Sequence, residues 1–555
     1  MSSASIYYAA DGYLTQRERL MGRHAAGEGF LNAFFATEPT SHFECCAANK
    51  AAAGGFLKLA RQVRPEATVG WFGHDGLAQA ARTGTLYLPA PSLADQAWLR
   101  AAGEPGAFSL CGVTHTISSD RVMDELREML TAPVEPWDAL ICTSTVVRSS
   151  IERLLRERAE WLHRRLGATR MVMPQLPVIP LGVDTVSYRP KPLARKDWRA
   201  RLGIAENDVA LLFVGRLSYH AKAHPGQMFE AAQALARSLE PGRRVHFILA
   251  GWYANDAIAE AFRAGAQSLC PSVQLHEVDG RTADARFDVW SAADIFFSLS
   301  DNYQETFGLT PLEAAACGLP AVVSDWNGYR DTVIEGRTGF RVRTWAPPPG
   351  TMGDLANAYH AGTMNYDHYI GHTCLPVSVD MRECVERLVA LGNSAQLRQS
   401  MGEAARRHAV ENFDWKVIVG RYRELWRELA AIRARLQATA PRPPRLRLPD
   451  PTLLFSDYPS RSLAPELRLV SGAAPAAALE MLEAHPLWNF GRSSRLPSDR
   501  LKVLVNLAAR NGGATVAELL ASADGATPVS WRSVGWLIKS GLLQLAPADS
   551  DGVGK

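Results

Sequence analysis

The sequence lacks a strong excess of charge of either sign, since 60 Lys and Arg stand against 57 Asp and Glu among its 555 residues. A net charge of +3 argues against a chain built mainly to neutralise a polyanion. With 47% hydrophobic residues, the chain is also too apolar for a mainly disordered protein. Its length predicts three or four packed domains at about 100–200 residues per domain.

Two further absences bear on the cellular compartment in which the protein is expected. The eight cysteines are scattered, with no CxxC pair and no spacing typical of zinc ligands, so we expect a reduced chain. The N-terminus has no basic segment followed by an apolar one, and no run of about 18 apolar residues occurs. These features predict a cytoplasmic protein that neither carries a classical secretion signal nor spans a membrane.

Two successive α/β patterns are present. Up to residue 190, short apolar runs alternate with helical patterns, as in WDALICTST at 137–145 before a long helix. The segment 177–192 holds four prolines and is predicted to be a strand leading into a connector. We therefore place an N-terminal Rossmann-like domain at 1–190 and a second one at 191–410. Buried-strand runs at βαβ spacing define the second domain: 209–215, 245–251, 273–278, 294–300 and 321–324.

The remaining segments depart from this alternation. Residues 346–380 are interpreted as a loop inserted into the second domain, and 411–436 as helices that return towards the first. A Pro- and Arg-rich stretch at 437–451 favours an extended linker. Three helical patterns in 452–555 resemble a winged-helix module. The predicted fold class is thus α/β, with two Rossmann-like domains facing a cleft and a small, mainly helical C-terminal domain.

The stretch 298–328 holds the most informative pattern, with Glu305 and Glu313 eight residues apart. A structural interpretation is available, because Thr310 to Glu313 fits a capping box. A functional interpretation is that the amides of Phe307, Gly308 and Leu309 point from a helix N-terminus into the cleft and stabilise an anion such as a diphosphate. Carboxylates on both sides of the anion would then accept hydrogen bonds from sugar and ribose hydroxyls.

Arg216 and Lys222 follow the first strand of the second domain, in FVGRLSYHAKAHP. Two solvated cations beside a turn are the ordinary interpretation of such residues. A guanidinium that clamps phosphate oxygens, together with an ammonium as a point charge, would instead stabilise a departing diphosphate.

The segment ETFGLTPLE resembles the Glu-x7-Glu motif of retaining nucleotide-sugar glycosyltransferases with the GT-B fold, the family 4 or group 1 type. The resemblance extends over roughly residues 1–435. It implies that Glu305 contacts donor-sugar hydroxyls and Glu313 the ribose, while Arg216 and Lys222 bind the donor diphosphate. It also implies transfer of a sugar to an acceptor hydroxyl with retention, through a front-face reaction in which neither Glu is a nucleophile.

Other candidates come from the first domain. Gly22, Gly27 and Gly29 form a glycine-rich turn before a helix, which serves close packing in many proteins. The resemblance places Gly27 and Gly29 near the donor diphosphate. It also makes His115 a donor-sugar ligand and a candidate catalytic residue, with His74 in reserve. His24 is interpreted as a loop residue.

We expect no metal and no cofactor beyond the nucleotide-sugar substrate. The only Asp-x-Asp pattern that would suit a diphosphate-bound cation, Asp549-Ser550-Asp551, lies in a polar tail. Arg216, Lys222 and the helix N-terminus can supply the positive charge instead.

Three alternatives and several partners stay open. An epimerase would act without an acceptor, a phosphorylase would need a pyridoxal-binding lysine, and a nucleotide-sugar sensor would use the C-terminal module to read DNA. Nucleic acid is not favoured, because residues 498–545 hold five basic against three acidic side chains. A homodimer or protein partner is the preferred interpretation of that module. The acceptor is a glycan, a lipid-linked molecule or another hydroxyl compound, and the arginines of 441–447 would allow peripheral membrane contact.

Overall fold

A computed structural model describes residues 3–13, 22–436, 448–523 and 525–547. The chain divides into two compact units, Met1–Arg447 and Leu448–Lys555. The predicted linker at 437–451 lies mostly outside the described residues, as do the arginines of 441–447 and the Asp549-Ser550-Asp551 pattern. Within the described residues, no helix is both long enough and apolar enough to cross a membrane.

The first α/β domain is a six-stranded parallel sheet with the order β3-β2-β1-β4-β5-β6. Its strands are β1 Ser5–Tyr8, β2 His42–Ala47, β3 Thr68–Phe72, β4 Thr85–Tyr87, β5 Ser109–Val113 and β6 Ala139–Ile141. Its helices are α1 Gly22–Thr37, α2 Lys50–Val63, α3 Leu93–Ala101, α4 Asp120–Glu128 and α5 Thr145–Leu166. Helix α5 starts where the Ser144 side chain accepts from the Val147 amide and ends at Gly167, whose φ of 68° only glycine adopts easily.

The second α/β domain repeats this architecture, with the strand order β12-β11-β10-β7-β8-β9. Its strands are β7 Val209–Leu217, β8 Val245–Tyr253, β9 Val273–Asp279, β10 Ile295–Ser298, β11 Ala321–Ser324 and β12 Gly339–Val342. Its helices are α6 Pro192–Arg201, α7 Pro225–Ser238, α8 Asp256–Leu269, α9 Ala283–Asp288, α10 Leu309–Ala316 and α11 Tyr329–Thr332.

Both sheets have the 3-2-1-4-5-6 order of a Rossmann fold when the strands of each are numbered from its own first strand. This confirms the predicted α/β class with two Rossmann-like domains. In such a sheet the strand order reverses between the first and fourth strands, here β1 and β4, and β7 and β10. Ligands bind at the carboxyl ends of the strands beside this reversal.

Two sequence predictions about these segments need correction. The segment 177–192 forms no strand; it makes single bridges, Cys142 to Val178 and Val183 to Asp414, because its prolines lack the amide that a ladder requires. The 346–380 insertion is not a loop. It contains two helices and a short strand, α12 Gly353–His360, α13 Tyr366–Cys374 and β14 Ser378–Val379, and β14 pairs with β13 Thr344–Trp345, which directly precedes the insertion. Its helices have eight and nine residues and are too short to be recognised from periodicity alone.

Three long helices follow the insertion: α14 Met381–Asn393, α15 Ala395–Phe413 and α16 Trp415–Leu436. Helix α16 packs on the first domain, where the ring centroids of Tyr422 and Phe30 are 5.3 Å apart and the Arg423 guanidinium lies 2.9 Å from the Glu38 carboxylate. The Arg433 guanidinium donates to the Gly84 carbonyl at 2.7 Å. The chain thus returns to its first sheet after completing the second.

The C-terminal unit has its own core and a three-stranded antiparallel sheet with the order β16-β15-β17. Its helices are α17 Pro451–Leu454, α18 Leu479–Ala484, α19 Pro486–Asn489, α20 Ser498–Ala508, α21 Val516–Ser522 and α22 Pro528–Lys539. Its strands are β15 Arg468–Ser471, β16 Ala514–Thr515 and β17 Leu543–Leu545. The last three helices match the three predicted helical patterns. The winged-helix assignment stays a prediction.

Candidate functional site

The strand reversal of the second sheet gathers the predicted donor-site residues. Arg216 is the next-to-last residue of β7, and Lys222 lies between β7 and α7. Glu305 lies in the segment that joins β10 to α10, and Glu313 is in α10 itself. The four side chains therefore converge at the carboxyl edge between β7 and β10, where the topology predicts a ligand.

Lys222 and Glu305 form an ion pair across this edge. Burial lowers the pKa of Lys222, but the Glu305 carboxylate outweighs it, so the pKa lies above the ordinary lysine value. The ammonium is therefore charged at neutral pH. Each partner holds the other in the position from which it would meet a ligand.

Arg216 faces both this pair and the insertion. One of its nitrogens, Nη2, donates to the Ala221 carbonyl at 3.0 Å, which fixes the side chain against the loop after β7. Burial lowers the pKa of Arg216, while Asp367, Tyr366 and Glu305 act in the opposite direction. The guanidinium thus lies in a partly closed site with acidic and phenolic groups beside it.

The Glu305 loop is held in place from α11 and the turn before it. The Asn327 side chain donates to the Glu305 carbonyl, and the Trp326 indole donates to the Asn302 carbonyl at 3.1 Å. Asn327 has a φ of 45°, a conformation that asparagine tolerates better than most residues. These contacts hold the loop through its backbone carbonyls and do not use the Glu305 carboxylate.

The start of α10 differs from the capping-box interpretation. The N-cap residue is Gly308 rather than Thr310, and no side chain caps the helix. Gly308 has a φ of 81°, and a Cβ there would lie 2.1 Å from the Tyr329 ring. The glycine is required by both backbone conformation and close packing. Phe307 is buried and Leu309 half-buried, so these residues contribute backbone amides to the helix start rather than side chains to the cleft.

Glu313 lies at the base of the site. Burial raises the pKa of its carboxyl group, while a hydrogen bond from Tyr188 and the charges of Arg286 and Lys222 act in the opposite direction. Arg286 also lies 3.3 Å from the Glu28 carboxylate of the first domain. Glu313 is thus linked to the domain connector through Tyr188 and to the first domain through Arg286.

The first domain reaches the same edge through segments that follow β5 and β6. His115 Nε2 lies 3.0 Å from the Pro89 carbonyl, and burial lowers the pKa of His115 to about 4. The next residue, Thr116, donates to the Gln304 carbonyl at 3.3 Å. The Ser144 hydroxyl donates to the Thr306 carbonyl at 2.7 Å. His115 is therefore neutral and sits one residue from a direct contact with the Glu305 loop.

Gly22, Gly27 and Gly29 do not form a turn before a helix, because all three lie within α1, and packing accounts for Gly27 and Gly29. A Cβ on Gly27 would lie 2.1 Å from the Gly12 carbonyl oxygen, and one on Gly29 would lie 2.2 Å from the indole nitrogen of Trp415. Their role towards a donor stays a prediction. His24 is not a loop residue; it is buried within α1. The reserve candidate His74 is exposed and stacks on Tyr7, with 5.4 Å between ring centroids.

Tyr188, Arg286, Tyr329 and Asn327 support the site but carry no recognisable motif. Only the Asn327-Gly328 pair gives a local turn signal that could have been read from the sequence. No group of three or more His, Cys, Asp or Glu side chains suited to a metal ion occurs among the residues that the structure covers.

Comparison with known families shows what this part of the chain is similar to in sequence. Residues 194–347 match the family model described as Glycosyl transferases group 1. They include Arg216, Lys222, Glu305 and Glu313. The second Rossmann-like domain is thus similar in sequence to group 1 glycosyl transferases.

Individual relatives agree with this similarity. A D-inositol 3-phosphate glycosyltransferase of Rhodococcus erythropolis is 28% identical over 228 residues, covering 38% of this chain and 49% of the relative. That of Nocardia farcinica is 31% identical over 223 residues, covering 39% and 47%. The chain spans about half the length of these curated relatives. The crystal structure of Anabaena HepE in complex with UDP has a TM-score of 0.48 and 17% identity, covering 76% of this chain and 100% of that one.

Proposed function

We propose that this protein is a retaining glycosyltransferase that moves a sugar from a nucleoside diphosphate donor to an acceptor hydroxyl without a metal ion. The observation that carries the proposal is the convergence of Arg216, Lys222 and Glu305 at the strand reversal of the second sheet. The match of residues 194–347 to group 1 glycosyl transferases supports it.

The proposed roles follow from the charges at the site. Arg216 and Lys222 bind the diphosphate and stabilise the negative charge that grows on it as the glycosidic bond breaks. The first turn of α10 adds backbone N–H groups and the positive end of its dipole. Donor binding separates the Lys222–Glu305 pair, since the ammonium turns to phosphate and the carboxylate accepts hydrogen bonds from sugar hydroxyls.

The remaining residues orient the donor. Glu313 holds the ribose, and neutral His115 hydrogen-bonds the sugar from the first domain. The C1–O bond to the diphosphate breaks as the acceptor oxygen bonds to C1 on the same face. The acceptor proton passes to the departing phosphate oxygen, so atoms and charge balance without a covalent enzyme intermediate.

A donor panel tests this function. The chain is incubated with UDP-, GDP- and ADP-sugars in EDTA, and nucleoside diphosphate release and donor binding are measured. D-inositol 3-phosphate, the compound in the relatives' names, is included among the acceptors. The proposal predicts binding and slow hydrolysis of one donor, faster turnover with an acceptor, and loss of turnover in Glu305→Ala. Failure to bind any sugar nucleotide would contradict it, and binding without turnover would favour a sensor.

A further inference from the structure

A second cavity lies beside the proposed donor site and is not used by it. It has a volume of about 480 Å³, is partly open to solvent, and is lined by residues of both α/β domains and of the insertion at 346–380. Six large apolar or aromatic side chains supply much of its wall: Met123, Leu126, Ile151, Leu154, Trp326 and Tyr369. Ligand pockets typically have volumes of about 300–1,000 Å³ and mostly apolar walls. The size and the lining of this cavity fit a ligand site.

Polar residues also line this cavity. Ser118, Ser150, Asn327 and Arg330 are among its lining residues. The Arg330 side chain donates to the Asp325 carbonyl and Ser150 donates to a backbone carbonyl of its own helix. A largely apolar wall with a few polar groups suits a molecule with an apolar body and a polar end.

The cavity shares structural parts with the donor site. Trp326 and Asn327 form part of its wall and also hold the backbone of the Glu305 loop. On the opposite side, the Ser118 hydroxyl lies 2.8 Å from the Tyr366 hydroxyl of the insertion, and Tyr366 is one of the groups that act on the pKa of Arg216. A molecule in the cavity would therefore contact residues that position both Glu305 and the surroundings of Arg216.

We propose that this cavity binds the apolar chain or ring of an amphipathic small molecule. The molecule is either the acceptor, whose hydroxyl end then reaches the donor sugar, or an effector that acts through the Glu305 loop. Both have the same chemistry in the cavity. The acceptor alternative rests on the proposed function, whereas binding itself does not.

Binding is tested on the full chain with the fluorescent probe 8-anilinonaphthalene-1-sulfonate, displaced by 1-alkanols of increasing length without any sugar nucleotide. The apolar wall predicts that affinity rises about fourfold with each added methylene until the cavity is full. Displacement that does not depend on chain length would overturn the proposal, as would the absence of any alkanol-displaceable probe.

Adjacent serines of α5 provide a matched pair of variants. The hydroxyls of Ser149 and Ser150 each donate to the carbonyl four residues earlier, at 3.1 and 3.0 Å, and both residues are exposed. Only Ser150 lines the cavity. Ser150→Trp should weaken alkanol binding by about tenfold or more, since the indole occupies the volume of several methylenes, while Ser149→Trp leaves it unchanged. Equal binding by the two variants would overturn the location.

A variant that enlarges the cavity should change alkanol binding in the opposite direction. Met123→Ala removes a partly exposed side chain from the wall and should lengthen the alkanol that binds best. An unchanged optimal alkanol length would count against the site.

Adding the identified donor then distinguishes an acceptor from an effector. An acceptor yields an alkyl glycoside, whereas an effector changes the rate of donor hydrolysis and leaves the alkanol intact. Intact binding with neither effect would leave the apolar site standing and overturn its link to the Glu305 loop.

Discussion

The two α/β domains share one strand order but differ in the side chains that lie where the strand order reverses. In the second domain, the β7–β10 edge holds Arg216, Lys222 and Glu305 within one connected site. In the first, the segments after β5 and β6 bring uncharged groups to this edge, among them His115, Thr116 and Ser144, and Gly27 and Gly29 of α1 make room for the Gly12 carbonyl and Trp415. The same topology thus gives each domain a carboxyl edge at which a ligand could bind. The loops after the strands decide which of the two edges can hold a charged ligand.

This comparison suggests a division of labour. The second domain supplies positive charge for an anionic donor, while the first contributes contacts such as Thr116 to Gln304 and Ser144 to Thr306 that close the edge over it. Exclusion of water by such closure would limit donor hydrolysis. Variants in matched positions of the two domains should therefore have unequal effects.

The largest difference is expected for a lysine in each domain. Lys222→Met removes a charge that stabilises the departing diphosphate and should lower kcat for the identified donor about 10²–10³-fold. Lys58→Met changes an exposed lysine on α2 of the first domain and should leave kcat unchanged. Steady-state release of the nucleoside diphosphate measures both, and comparable losses in the two variants would contradict the assignment of charge to the second domain.

The next effect concerns glycines of the first domain. Gly27→Ala places a methyl group against the Gly12 carbonyl and should reduce the free energy of unfolding by about 1–3 kcal/mol. Gly22→Ala in the same helix meets no atom within 4 Å and should have little effect. Urea unfolding measures both. If Gly27→Ala instead keeps full stability and loses donor binding, the glycine serves the donor rather than packing.

A smaller difference between the domains is expected in the pH dependence of the free energy of unfolding, which should have opposite signs for Asp301 and His115. Burial raises the pKa of Asp301 to about 7, so its contribution to stability is present in acid and is lost as the pH rises towards 7. The pKa of His115 is lowered to about 4, so its contribution is present above the ordinary histidine value of 6.5 and is lost as the pH falls towards 4. Unfolding in urea between pH 4 and 8 should show that Asp301→Asn removes the first slope and His115→Gln the second. Unchanged slopes in both variants would refute these assignments.

The smallest effect is expected at a contact between the domains. The Thr145 hydroxyl donates to the Asp331 carboxylate at 2.8 Å in an exposed position. Thr145→Val removes this bond while the Thr145 amide still donates to Asp331 at 2.7 Å, so stability should fall by only about 0.5–1.5 kcal/mol. The KM for the donor should change little. A loss of turnover as large as that of Lys222→Met would show that closure, rather than charge, dominates.

Much of this architecture is predictable from local sequence. Buried-strand runs such as 209–215 and 245–251 predict β7 and β8, because strands covered on both faces are continuously apolar. The turn and helix signals around Glu305 predict the strand-to-helix connection, and the resemblance identifies its candidate residues.

The contacts that complete the site depend on tertiary structure. Nothing near Arg286 or Tyr188 in the sequence reveals that both act on Glu313, since they come from α9 and from the domain connector. The predicted capping box fails for a similar reason: Tyr329 packs against Gly308 and shifts the helix start upstream of Thr310. Packing between distant segments overrides a local helix signal here.

The location of the donor is the central claim, and hydrogen exchange with mass spectrometry tests it most directly. The donor identified by the panel is added to the full chain, and amide protection is compared with the free protein. We predict new protection in 215–224 and 300–312, around the Lys222–Glu305 pair, with smaller changes after β4 and β5. Protection confined to the loops after β1 and β4, with none around Lys222 and Glu305, would contradict a donor site in the second domain.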